Sequence, residues 1–305
     1  MGTSRSGSVG SSPRWTKTRN DLVDLAKAMA SLVGPGRSIP LDAKSTDDKS
    51  GSTPGGGGGG GGGGLVGMPG GGAVPRRGRG RSAIVDDVRS LGRGLIKAHR
   101  ADPRFLPLLG DCAVRVALEE LFALSNAATL RYRTQRDASK LFAEYGINMG
   151  KSVAIGLSRA LDDRFRKQLV EKCGEITDNA EKARLAMQQT LLEMLAKDGS
   201  PDDALKMSAA QIHDALRKTN AMDIARQFYK NYIFSVVEFL ISSSHADITL
   251  VAEQAVLHQM RMTYCEEVAD RLVRLARSKG WRAGEIPDRV EEWRDLLVEE
   301  EAAHV

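Results

Sequence analysis

The chain is short of cysteine, aromatic residues and long apolar runs, and each shortage removes a class of protein. Its three cysteines, Cys112, Cys173 and Cys265, are odd in number and far apart among 305 residues. That spacing suits neither a disulfide framework nor a zinc site, and predicts reduced core thiols in a cytosolic protein. Met1 to Ser12 has no apolar h-region, so no signal peptide is read there. The most apolar stretch, Tyr232 to Ile241, is too short to span a bilayer and contains Glu238. A soluble, cytoplasmic protein is expected. With aromatics at 5%, the core must be built mostly from Leu, Val, Ile, Ala and Met. No period-two run rich in β-branched residues occurs, which predicts an all-α fold.

Catalytic constellations are missing too. His99, His213, His245, His258 and His304 are scattered, with no pair at metal-ligand spacing. The stretch Gly146-Ile147-Asn148-Met149-Gly150-Lys151-Ser152 resembles a phosphate-binding loop. It has three residues between its glycines where that motif needs four, and no strand precedes it, so a helix–helix turn is expected. Cys265, in Tyr264-Cys265-Glu266-Glu267, has no fixed cation beside it in sequence and reads as a buried helix thiol. A non-enzymatic chain without metal or cofactor is the expectation.

The formal charge of +5 divides unevenly. Residues 1–82 carry 12 Lys/Arg against 5 Asp/Glu, and the remainder carries 32 against 34. Attraction to phosphate therefore belongs to the first part, chiefly Arg76, Arg77, Arg79 and Arg81. These side chains can contact a polyanion without sequence preference. No aromatics interleave to stack bases, so a solvated basic linker is the reading, with weak RNA or DNA affinity as the alternative.

Four regions follow along the chain. Residues 1–12 form a Ser/Gly/Arg tail expected to be disordered. Ser12-Pro13 then offers an N-cap and a proline at the first helical position. Trp15, Leu22, Leu25, Ala26, Met29, Leu32 and Val33 recur at helical spacing up to Gly34-Pro35. Helix 13–33 is thus amphipathic and isolated in sequence, and is stable only if its apolar face docks. Residues 34–82 form a Gly/Arg-rich flexible linker centred on ten consecutive glycines, Gly55 to Gly64. A free chain of that length spans about 35–45 Å.

From 83 to 305 the pattern predicts a multi-helix bundle with a candidate division into two lobes near 175–200. Segments are expected from Ser82 as a cap, over Asp111 to Ser125, Thr134 to Tyr145, Val153 to Cys173 and Asp178 to Lys197. Ser200-Pro201-Asp202-Asp203 marks another start, and Ser208 with Gln211 forms a capping box. Ala221 to Ile241, apolar almost all round, is the expected core helix. Ala246 to Lys279 is read as one long helix, and Pro287 as the first residue of a last one carrying Trp293.

The head of the chain is chemically addressable. Met1 before Gly2 is the arrangement from which an aminopeptidase removes the initiator, leaving an unhindered α-amine. Such an amine has an ordinary pKa of about 7.7–8.0 against about 10.4 for lysine, so part of it is uncharged and nucleophilic near neutrality. Gly2 followed by Ser6 also fits an N-myristoylation pattern, which gives an alternative reading as a membrane-associated helical scaffold. A nucleic-acid-binding accessory factor using Arg76 to Arg81 is the other alternative.

Met1-Gly2-Thr3-Ser4, the Ser/Gly tail, the Pro13-Arg14-Trp15 helix, the Gly-rich linker and the helical body resemble the QatB proteins of bacterial Qat anti-phage defence systems. Leu191-Leu192-Glu193-Met194-Leu195 to Asp198-Gly199, then Asp202-Asp203-Ala204 and helix 221–241, are similar to that family's C-terminal half. The resemblance implies a non-enzymatic adaptor in a four-protein operon with an ATPase, a QueC-like enzyme and a TatD-like nuclease. It also implies that Gly2, freed of Met1, is offered to the QueC-like enzyme, with Thr3 and Ser4 as the residues its channel reads.

Overall fold

A helix that is apolar almost all round must be covered over most of its surface, and α9 (Ala221–Ser243) is, with Asp223, Glu238, Phe239 and Ser242 its exposed residues among those described. Ile224, Phe228, Tyr229, Tyr232, Val236, Val237 and Leu240 are all buried. Around it pack α2 (Arg81–Arg100), α3 (Cys112–Asn126), α6 (Asp178–Ala196) and the long helix formed by α10 (Leu250–Gln259) and α11 (Glu266–Ser278). The computed structural model describes residues 13–33, 81–100, 112–147, 152–174, 178–196, 201–243, 250–293 and 295, and among these there is no strand. The expected all-α class is what forms. The tail 1–12, most of the linker 34–82 (residues 34–80), the turns at Pro103, Pro107 and Gly199-Ser200, and the acidic end past 295 lie outside the described residues.

Local sequence explains most boundaries. Ser208 Oγ accepts from the Gln211 amide at 3.4 Å while Gln211 Oε1 accepts from the Ser208 amide at 2.8 Å, so the expected capping box opens α8 (Ala209–Lys218). Gly174, at φ 77°, ends α5 (Val153–Cys173) in the left-handed region that only glycine enters cheaply. Gly146, at φ 69°, does the same after α4 (Ala138–Glu144). The phosphate-loop lookalike thus starts as a turn between α4 and α5.

Several expectations shift. Arg81 is already helical, so Ser82 lies inside α2 rather than capping it. Pro287 sits within a 3-10 turn, Ala283–Arg289, and the α-helical stretch that carries Trp293 begins only at Val290. A five-residue π turn, Ala127–Arg131, extends α3, and a second, Met260–Cys265, joins α10 to α11. α6, where a division of the body was expected, packs on α3, α5 and α9 and belongs to one continuous core with them.

The cysteines require a correction. Cys112 and Cys173 are joined by a disulfide, with their Cα atoms 5.9 Å apart, and only Cys265 is a free, buried thiol. Sequence spacing hid this because the pair is 61 residues apart and is brought together by antiparallel packing. Arg164 bonds Glu120 at 2.7 Å and Lys172 bonds Glu119 at 2.5 Å, so α3 lies beside α5.

Helix α1 (Pro13–Val33) seats its apolar stripe on α2 and α10. Leu22, Leu25 and Ala26 are at most 2% exposed, and Thr18 is buried beside Gly94. The chain between α1 and α2 is 47 residues long, so this contact joins segments far apart in sequence. Leu25→Asp places a carboxylate in that contact at a cost of about 3 kcal/mol or more. Hydrogen exchange read by mass spectrometry should then rise more than about tenfold across α1 and stay unchanged in α9. A matching loss of protection in α9 would mean that α1 is an integral part of the core.

Candidate functional site

The leader residues Gly2, Thr3 and Ser4 lie outside the described residues, as do Arg76, Arg77 and Arg79. Arg81 is the first residue of α2. The described element nearest the leader is α1, and its seat was not visible in the sequence. Two glycines of α2 make the seat and its foundation. At Gly94, an added Cβ would stand 3.4 Å from Thr18 Oγ1 of α1. At Gly92 an added Cβ would fall within 3.0 Å of three ring carbons of Tyr264. The π turn carrying Tyr264 widens the long helix where its ring enters α2. Both glycines of α2 therefore stand where a neighbouring helix comes close.

The same π turn supplies the centre of a part-buried polar cluster. Arg261 Nη2 donates to Glu193 Oε1 of α6 and, at 3.0 Å, to Asn231 Oδ1 of α9. Asn231 Nδ2 donates to Glu193 Oε2 and to Thr190 Oγ1, both at 3.1 Å. Gln189 Nε2 donates to Glu193 at 3.0 Å, Lys230 Nζ lies 3.7 Å away, and Thr190 returns its proton to the Ala186 carbonyl at 2.7 Å. The Arg261 guanidinium lies 5.0 Å from the centre of the Phe234 ring. Both oxygens of Glu193 and both ends of the Asn231 amide are matched, which fixes the register of three helices. Below it, burial pushes the Cys265 thiol up to about 12 despite Arg261 and Lys230. It is therefore an unreactive thiol at neutral pH.

Three other buried polar atoms have no hydrogen-bond partner among the described residues. His213 donates Nε2–H to the Tyr132 carbonyl at 2.7 Å, leaving Nδ1 unbonded. The Tyr229 hydroxyl and Trp293 Nε1 are also unbonded, with the two rings stacked 4.7 Å apart. Burial raises the Tyr229 phenol well above its ordinary range.

One cleft of about 430 Å³ opens between α4 and α5, lined by Tyr145, Ile147, Ser152, Ile155, Arg159 and Asp163 among others. Burial drives the Tyr145 phenol up to about 12, and Arg164 lies 4.9 Å from its ring centre. Among the described residues no three His, Cys, Asp or Glu side chains converge as metal ligands, and no helix is long and apolar enough to cross a membrane. No family model, curated protein or solved structure matches this chain.

Proposed function

We propose that this chain is a cytoplasmic helical adaptor whose N-terminus is a substrate: Gly2, after loss of Met1, is presented to a QueC-like partner enzyme. The carrying observation is the seating of α1. Its buried Leu22, Leu25 and Ala26 tie the segment before Pro13 to the body. Twelve residues reach at most about 40 Å from that anchor when fully extended. An active-site channel admits a side-chain-poor terminus more readily than a folded surface, and Gly2, Thr3 and Ser4 are the residues it would meet. The body then serves to dock the remaining components that the QatB resemblance implies, an ATPase and a TatD-like nuclease.

Intact-mass analysis of protein produced with its operon partners is the direct test. Loss of Met1 and an added mass on Gly2 are expected. Gly2→Trp, which blocks both initiator removal and entry, should abolish defence. An unmodified chain that retains Met1 in a working system would overturn the reading.

A further inference from the structure

The structure assigns a second interaction surface, independent of the leader, at the end of α3: a basic patch around Leu130 that fits an acidic, leucine-bearing segment of a partner protein. The π turn Ala127–Arg131 swings Leu130 outward, and its side chain is 59% exposed. Arg131 and Arg133 follow it in sequence, and Arg136 comes in the next turn, all three exposed. The His213 bond to the Tyr132 carbonyl clamps this turn to α8. One turn beyond His213 on that helix comes Arg217, also exposed.

Charge decides what the patch can hold. Arg131 is matched by Glu144 at 3.0 Å, Lys140 by Asp137 at 3.3 Å and Lys218 by Asp214 at 2.6 Å. Among the described residues no carboxylate lies within ion-pair distance of Arg133, Arg136 or Arg217, so three positive charges are unmatched; Arg133 Nε donates to the Leu130 carbonyl at 3.1 Å, which holds that guanidinium beside Leu130. The body as a whole is slightly acidic, which makes this a local excess.

A nucleic acid fits poorly. The patch's aromatic side chain among the described residues, Tyr132, is not free to stack a base, since it carries Arg131 near its ring, 5.9 Å from the centre, and donates its hydroxyl to Glu144 at 2.7 Å. A protein segment of Glu or Asp with leucine satisfies both features, placing its carboxylates on the unmatched arginines and its apolar side chain on Leu130.

The test uses the full chain and two fluorescent probes of equal net charge, a Glu/Leu-rich amphipathic peptide and a single-stranded oligonucleotide, read by anisotropy at low salt. The peptide should bind more tightly than the oligonucleotide. Its affinity should fall more than about tenfold in Arg133→Glu/Arg136→Glu/Arg217→Glu and in Leu130→Asp. Arg274→Glu/Arg277→Glu, exposed on α11, should bind as the wild type does. Equal loss in that control, tighter binding of the oligonucleotide, or no effect of Leu130→Asp would overturn the assignment.

Discussion

A reducing agent should lower the melting temperature of the wild-type chain by about 8–16 °C and leave a Cys112→Ser/Cys173→Ser variant unchanged. The bond closes a loop of 61 residues. Constraining a loop of that length removes enough unfolded-state entropy to stabilise the fold by about 4 kcal/mol. In a body of about 200 residues each kcal/mol moves the midpoint by about 2–4 °C. Thiol titration gives an independent check. The untreated protein should expose no reactive thiol when native and one, Cys265, when unfolded; after reduction, unfolding should expose three. Three thiols from the untreated, unfolded protein would show that the bond does not form. The consequence depends on compartment. In a glutathione-poised cytoplasm such a pair is normally reduced, and α3 is then held to α5 from its middle by Glu119–Lys172 and Glu120–Arg164.

The second large effect is a reversal of helix propensity at two glycines two residues apart. Alanine in place of glycine inside a helix is ordinarily worth about 1 kcal/mol. Gly94→Ala should realise that gain, because its Cβ meets Thr18 at ordinary contact distance. Gly92→Ala should instead cost about 1–3 kcal/mol, since its Cβ overlaps the ring of Tyr264 and neither helix backbone can retreat without disturbing the core. Urea denaturation midpoints of the two variants should therefore move in opposite directions. In a Tyr264→Leu background the penalty at position 92 should shrink, giving a coupling energy that identifies the contact. If Gly92→Ala stabilises as much as Gly94→Ala, the packing of α2 on the π turn is wrong.

How far each feature could be read depended on how local its cause was. Periodicity and caps are local, so α5 over Val153–Cys173 and the Ser208 capping box could be placed to the residue. The central position of α9 could be read as well, because a helix apolar over most of its surface has to be covered by others. The π turns could not. A helix of unchanged composition widens at Met260–Cys265 only because Tyr264 must meet Gly92 and Arg261 must reach Glu193 across α9. The basic patch was equally hidden, since Arg133, Arg136 and Arg217 sit on segments 80 residues apart that a single histidine bond draws together.

Composition and pattern alone determined the helical class and the glycine-rich stretch that separates residues 1–33 from the body. Those properties depend on which side chains follow one another. Only the tertiary structure decided that α1 seats on α2 and α10, that Cys112 is bonded to Cys173, and that Gly92 and Gly94 are contacts rather than weaknesses. Each of these turns on the distance between residues far apart in the chain, and that distance is set by how the helices pack.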